Sequence, residues 1–284
     1  MTNLARLLLY LLLSFILTHA TSCEETVELD LDSSKERLVI EGLIKWEKGT
    51  SGQEQRIRLK KVAPFYEGRL TPAIGATVRV ENSEGNVFAF EEANDGDYFT
   101  DSFVPEIGES YTLTVVYDGE TYTASEQLIA APEIDEVNQS TDKGFSQDNP
   151  EISVFFTDME NVENYYRVNY RRTRRAEGAI VSIIFENFVF SDEFQDGNQI
   201  LNFYEEEDED DFSKDDQFEV TLYGISEAFY NYLDILEDQD DEGGPFVIPP
   251  VNVKGNCNNS TNPENYPYGY FALSEFNSQD YTFE

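Results

Sequence analysis

The sequence predicts a mainly β protein of two tandem β-sandwich-like domains. The first is immunoglobulin- or transthyretin-like; the second carries one short helix and long loops. Three observations lead there. Apolar and polar residues alternate in short runs, the period of a strand buried on one side. Gly, Asn, Asp and Pro punctuate those runs about every 8–12 residues, the turn spacing of a sandwich. A hydrophobic content of 40% with 14% aromatics supplies apolar material for one or two cores, so the acidity does not signal disorder.

The first domain is expected over residues 37–131. Leu38, Val39 and Ile40, then Leu43 and Ile44, flank Glu41-Gly42 in a half-buried strand. Residues 56–62 alternate apolar with basic side chains, as a half-exposed strand does. Further strands follow at residues 76–80, 87–90 and 111–117, with breaks at 72–75 and 82–85 and a turn at Asp95-Gly96-Asp97 before Tyr98. Asp118-Gly119 is a hairpin signal ahead of Thr121, Tyr122 and Thr123. No helical period occurs here, and Ala131-Pro132 marks the boundary.

The second domain spans residues 132–284. After a polar loop at 138–149, strands are expected at 152–156, 165–170, 179–190 and 218–223, with an all-acidic run at 205–211. One helix is predicted near 226–237. Ser226 can cap its N-terminus, Glu227 suits the first turn, and Phe229, Tyr232, Leu233 and Leu236 form one apolar face. A late strand is expected at 268–272 in a tail rich in Pro, Asn, Gly and Tyr.

The N-terminus bears on location. Residues 1–22 have a signal-peptide layout: Arg6, a nearly uninterrupted apolar run over 7–17, then Ala20, Thr21 and Ser22 before Cys23. An 11-residue helix reaches roughly 16 Å, about half a bilayer's hydrocarbon core, which argues against a permanent span. The small residues ending in cysteine resemble a bacterial lipobox with Cys23 as the acylated residue, although Ala20 stands where a larger aliphatic is usual. The other reading is a secreted protein cut near Ala20. Residues 23–36 then form an acidic tether. Its Glu24-Glu25 pair resembles the surface-export signal of Bacteroidetes lipoproteins, implying the extracellular face of the outer membrane; acidic tethers also contain such pairs without that role.

Charge and residue types exclude several chemistries. With 57 Asp and Glu against 19 Lys and Arg, the formal charge is −38, a field that repels nucleic acid and anionic lipid. The only histidine, His19, lies in the signal segment, so the mature chain has no imidazole for triads, general-base work or zinc. If Cys23 is acylated, Cys257 stands alone; if not, a bridge between the two is open. Oxygen ligands abound, making calcium the candidate ion. Asp238, Asp240 and Glu242 alternate ahead of Gly243 like the start of a calcium loop, but Pro245 follows and no glutamate holds the twelfth position. A solvated helix end explains the same residues. Tyr266 and Tyr268, in the least strand-like part of the tail, are the interface candidates.

The order of these pieces is similar to the DUF4249 family of Bacteroidetes lipoproteins. The resemblance runs through Cys23-Glu24-Glu25, residues 38–42, Gly75-Ala76-Thr77-Val78, Gly96-Asp97-Tyr98 and residues 108–113. It continues in Phe156-Thr157-Asp158, Asn164-Tyr165-Tyr166-Arg167, residues 249–253 and Gly269-Tyr270-Phe271-Ala272. It implies an accessory surface lipoprotein beside a TonB-dependent outer-membrane transporter and carries over no catalytic or binding residue. The expectation is therefore a non-enzymatic binding subunit for nutrient uptake, anchored to the membrane by lipid. The alternative is a stand-alone calcium-stabilised carbohydrate- or peptide-binding lipoprotein, and a glycan-active enzyme using two carboxylates ranks behind both.

Overall fold

The structure is a computed structural model and describes residues 36–62, 70–141, 149–176, 179–205, 212–240 and 253–284. Its first half contains β1 (Arg37–Glu47), β2 (Gln55–Val62), β3 (Leu70–Pro72) and β4 (Thr77–Asn82). These are followed by β5 (Val87–Asn94), β6 (Asp97–Thr100), β7 (Ser110–Tyr117) and β8 (Glu120–Ile129). The second half contains β9 (Ile134–Ser140), β10 (Glu151–Thr157), β11 (Tyr165–Ala176), β12 (Ala179–Ser191), β13 (Gln199–Glu205) and β14 (Gln217–Ile225). The helix α1 (Glu227–Asp240), β15 (Asn258–Asn259) and β16 (Tyr268–Thr282) complete it. The architecture is mainly β and sandwich-like, as the alternation predicts.

In the first half the pleat sets the core. β7 buries Tyr111, Leu113 and Val115 while Ser110 and Thr112 face water. The strands run in the order β16-β1-β2-β6-β5-β4-β7-β8, and β8 then pairs in parallel with β16 at Leu128↔Leu273. The sheet thus curls back on itself around one core, to which Ile40, Leu59, Phe90, Leu113 and Phe271 contribute. Asp118 and Gly119 have φ of 48° and 76°, the two left-handed residues a tight hairpin needs, and β7 and β8 pair across them from Tyr117↔Glu120.

In the second half, a three-stranded sheet ordered β13-β10-β9 covers one face of β11 and β14. The core between them holds Ile152, Val154, Phe156, Tyr166, Val168 and Leu222. It also encloses an ion pair: Arg172, 1% exposed, donates from Nε to Asp216 Oδ2 at 2.8 Å, with the Phe212 ring 5.1 Å from its guanidinium carbon.

β16 ties the halves together. It pairs in parallel with β1 from Val39↔Tyr268 to Glu47↔Phe276, and antiparallel with β14 from Tyr223↔Phe276 onwards. Gly269 permits this contact: its φ is 87°, and a Cβ there would meet the Ile40 carbonyl oxygen at 2.2 Å. The expected boundary at Ala131-Pro132 lies between β8 and β9. It is held down by buried Glu275, whose carboxylate accepts the Ala131 N–H at 2.9 Å and lies 3.7 Å from Lys48 Nζ.

The helix begins as predicted, with the Phe229 N–H donating to Ser226 Oγ at 3.1 Å. It packs Phe229, Tyr232 and Leu233 on Tyr223 and Tyr270 of the large sheet, whereas Leu236 is exposed. Three differences from the sequence reading stand out. Residues 134–140 are a strand, β9, where the polar loop was expected to begin at 138. β13 was not anticipated at all. β16 runs ten residues past Ala272. In each, polar side chains occupy strand positions that face water, which weakens the apolar signal without weakening the backbone ladder.

Candidate functional site

A strip of cations and aromatics crosses one face of the large sheet over five adjacent strands, β11-β14-β16-β1-β2. Cross-strand register builds it. Arg167 sits opposite Tyr223, and Tyr223 sits opposite Phe276. Phe276 sits opposite Glu47 on β1, so Lys45, two residues earlier on the same strand, faces the same side. Arg58 sits opposite Glu41, which places Arg56 on this face too.

The aromatic floor is the Tyr223–Phe276 pair, with ring centroids 5.3 Å apart. Lys45 Nζ lies 5.5 Å and the Arg167 guanidinium carbon 5.7 Å from the Tyr223 centroid, within cation–π range. Beside the floor an open groove of about 360 Å³ runs between Lys45, Arg56, Arg58 and Phe276. Helix α1 covers the rest of the face around Phe229 and Tyr270.

Cations are concentrated here in a chain that is acidic overall, although Glu41 and Glu54 line the same groove. Arg58 is neutralised by Asp97, with contacts of 2.5 and 2.9 Å, and Arg171 by Glu219 at 3.0 Å. Lys45 and Arg56 have no carboxylate within ion-pair distance among the described residues. The Lys45 pKa is held below lysine's ordinary value. Crowding that strips water from the ammonium is the main cause, followed by repulsion from Arg167, Arg56 and Arg171. Lys45 nevertheless keeps access to solvent. Unneutralised cations on an aromatic floor suit an anionic group, a carboxylate or phosphate, carried on an apolar or ring-shaped body.

Tyr266 and Tyr268 sit elsewhere, at the opposite end of β1. The Tyr266 ring lies between Arg37 and Lys254, each 3.9 Å from its centroid. Arg37 also donates to the Tyr266 carbonyl at 3.0 Å, and Tyr268 packs edge-on at 5.8 Å. Both tyrosines are half-buried and bind the tail to the start of β1. Cys257 lies in the first core, 5% exposed, and burial pushes its thiol up to about 12, a poor nucleophile and metal ligand.

Asp238 and Asp240 have helical backbone at the end of α1. Cys23, Glu24, Glu25 and Glu242 lie outside the described residues. Oxygen donors that could hold a metal instead gather at Asp158, Asp192 and Asp196. Neither cluster has a contiguous sign in the sequence, because both unite residues from segments distant in the chain. The basic alternation in β2 was the one available clue, conspicuous in a chain with only 19 Lys and Arg.

A family model described as "Domain of unknown function (DUF4249)" matches residues 24–280. None of the curated proteins matches this chain. Among solved structures, a DUF4785 family protein from Legionella pneumophila is similar at 8% identity and TM-score 0.30, covering 66% of this chain and 52% of that one. Trypsin-activated alpha-2-macroglobulin from Escherichia coli is similar at 12% identity and TM-score 0.23, covering 67% of this chain and 14% of that one. The chain thus spans about half the length of the first and about a seventh of the second.

Proposed function

The chain belongs to the DUF4249 family, and from that premise we propose that it is an outer-membrane surface lipoprotein of the Bacteroidetes type. It acts as a non-enzymatic binding subunit associated with a TonB-dependent transporter in nutrient uptake. Cys23 carries the lipid, and Glu24 and Glu25 direct export to the extracellular face. Two or three acyl chains hold a protein far more firmly than the marginal grip of one.

The observation that carries the binding role is the strip from Arg167 through Tyr223 and Phe276 to Lys45 and Arg56. A protein with a formal charge of −38 keeps Lys45 and Arg56 without an ion-pair partner among the described residues and sets them beside the buried Tyr223 ring and half-buried Phe276. Crowding Lys45 beside Arg167, Arg56 and Arg171 favours a complex that supplies a negative charge. The occupant is an acidic segment of the barrel. Anchoring both proteins in one membrane raises their effective concentration, so a weak contact suffices.

The test is purification of the full-length chain from native membranes in mild detergent. A barrel transporter, identified by mass, co-purifies with the wild type. Its recovery falls at least about tenfold with the Lys45→Glu, Arg56→Glu double variant, whose melting temperature stays unchanged. Recovery of the chain alone as a clean monomer, or equal recovery with both proteins, overturns the proposal.

A further inference from the structure

Two loops that cross between the sheets of the second half run side by side. Residues 158–164 connect β10 to β11, and residues 192–198 connect β12 to β13. Pairing fixes them together, because Thr157 sits opposite Gln199 in the small sheet and Tyr165 opposite Ser191 in the large one. Backbone bonds then link the loops at both ends. The Asp158 N–H donates to the Asn198 carbonyl at 2.9 Å, and the Asp192 N–H to the Asn164 carbonyl at 3.0 Å.

Three carboxylates meet between these loops. Asp158, Asp192 and Asp196 each offer an oxygen, and the three oxygens lie within 4.8 Å of one another. Asp158 and Asp192 are each 4% exposed. Asp158 is held in place by the Tyr166 hydroxyl on Oδ1 and by the Gly197 N–H on Oδ2 at 2.8 Å. Asp196 Oδ1 accepts the Asn161 N–H at 2.7 Å.

Asp192 is the independent observation. Its backbone is bonded, yet among the described residues its buried carboxylate has no hydrogen-bond donor and no cationic partner, and it faces the other two acids. A carboxylate set against two others and given no donor by the protein favours a cation between them. We propose that Asp158, Asp192 and Asp196 hold a divalent cation of the calcium type, which clips the two loops together.

The donor set selects the ion. All three ligands are hard oxygens, which excludes a preference for soft or thiolate-seeking metals. Calcium binds oxygen at 2.3–2.6 Å, so the ligands of one ion stand at most roughly 5 Å apart, a limit that the three oxygens meet. Magnesium needs a tighter octahedron and keeps most of its water. Exposed Asp196 leaves one side of the site open for water ligands. This cation site uses none of the side chains of the partner-binding strip, although β11 borders both.

Calcium titration calorimetry on the full-length chain in detergent tests the proposal, at about 0.1 M salt to suppress binding by the acidic surface at large. The expected result is one calcium per chain, weakened at least tenfold by Asp192→Asn and by Asp196→Asn. Binding is expected to be unchanged in the Asp238→Asn, Asp240→Asn double variant at the helix end, and magnesium to compete poorly. Should Asp192→Asn fail to fold, Asp196→Asn, whose side chain is exposed, decides alone. Absence of a stoichiometric site up to millimolar calcium overturns the proposal, and so does binding that survives the substitutions at Asp192 and Asp196.

Discussion

Four side chains donate to the carboxylate of Glu120: the Tyr122 hydroxyl at 2.7 Å and the amides of Asn259, Asn262 and Asn265 at 2.9, 3.0 and 2.6 Å. These bonds hold the carboxyl down at about 2, the Tyr122 hydroxyl contributing most. They also fix the tail segment around β15 onto β8, helped by the Thr121 N–H on Thr261. A carboxyl with a depressed folded-state pKa adds stability above its unfolded value of about 4.5, and that stability drains away as pH falls towards about 2. The protection of the Ser260 and Thr261 amides, exchange taken relative to its intrinsic rate at each pH, is therefore expected to fall across that window. In Glu120→Gln it is already low at neutral pH, with a stability loss of about 1–3 kcal/mol. Protection that stays constant from pH 5 to pH 2 contradicts this reading. Lys45 shows the opposite environment at the same scale: where Glu120 is saturated with donors, Lys45 is surrounded by repelling cations.

At the scale of elements, β16 is the decisive strand, because it joins β1, β14 and β8. Its start depends on Gly269, where backbone meets backbone at Ile40. Gly269→Ala is expected to destabilise the chain by about 1–3 kcal/mol through a left-handed φ and a clash with the Ile40 carbonyl. Urea unfolding measures it, and a midpoint equal to the wild type rejects it. The sequence made strands legible where one face is core: β1, β7 and β14 carry clean alternation, and Ser226 with Phe229 disclosed the helix start. It hid β9, β13 and most of β16, whose outward positions carry Asn, Gln, Glu and Asp. Pairing partners were hidden more deeply still. Nothing in residues 37–47 announces that their neighbour in the sheet lies at 268–276, and both site clusters follow from such pairings. Asp158, Asp192 and Asp196 read as ordinary turn residues until the two loops are brought together.

For the molecule as a whole, charge and topology work together. The 57 acidic residues keep an exposed surface soluble and repel nucleic acid. Against that background the five-strand strip concentrates Lys45, Arg56, Arg58, Arg167 and Arg171 on one face, with Glu41, Glu54 and Glu219 among them. It lies on the shared sheet that runs through both halves, so it is rigidly backed on its far side by both cores. Preorganised surfaces lose little entropy on binding, which favours recognition over chemistry as the strip's role. Composition alone disclosed the acidity and the single histidine, whereas the gathering of cations became visible only with the strand order. The most direct test places a photo-crosslinking residue in living cells at Arg56, or at Arg79 on the outer face of β4 as a basic control. Position 56 is expected to capture an outer-membrane barrel and position 79 not to; equal capture at both positions, or none at 56, contradicts a partner-binding role for the strip.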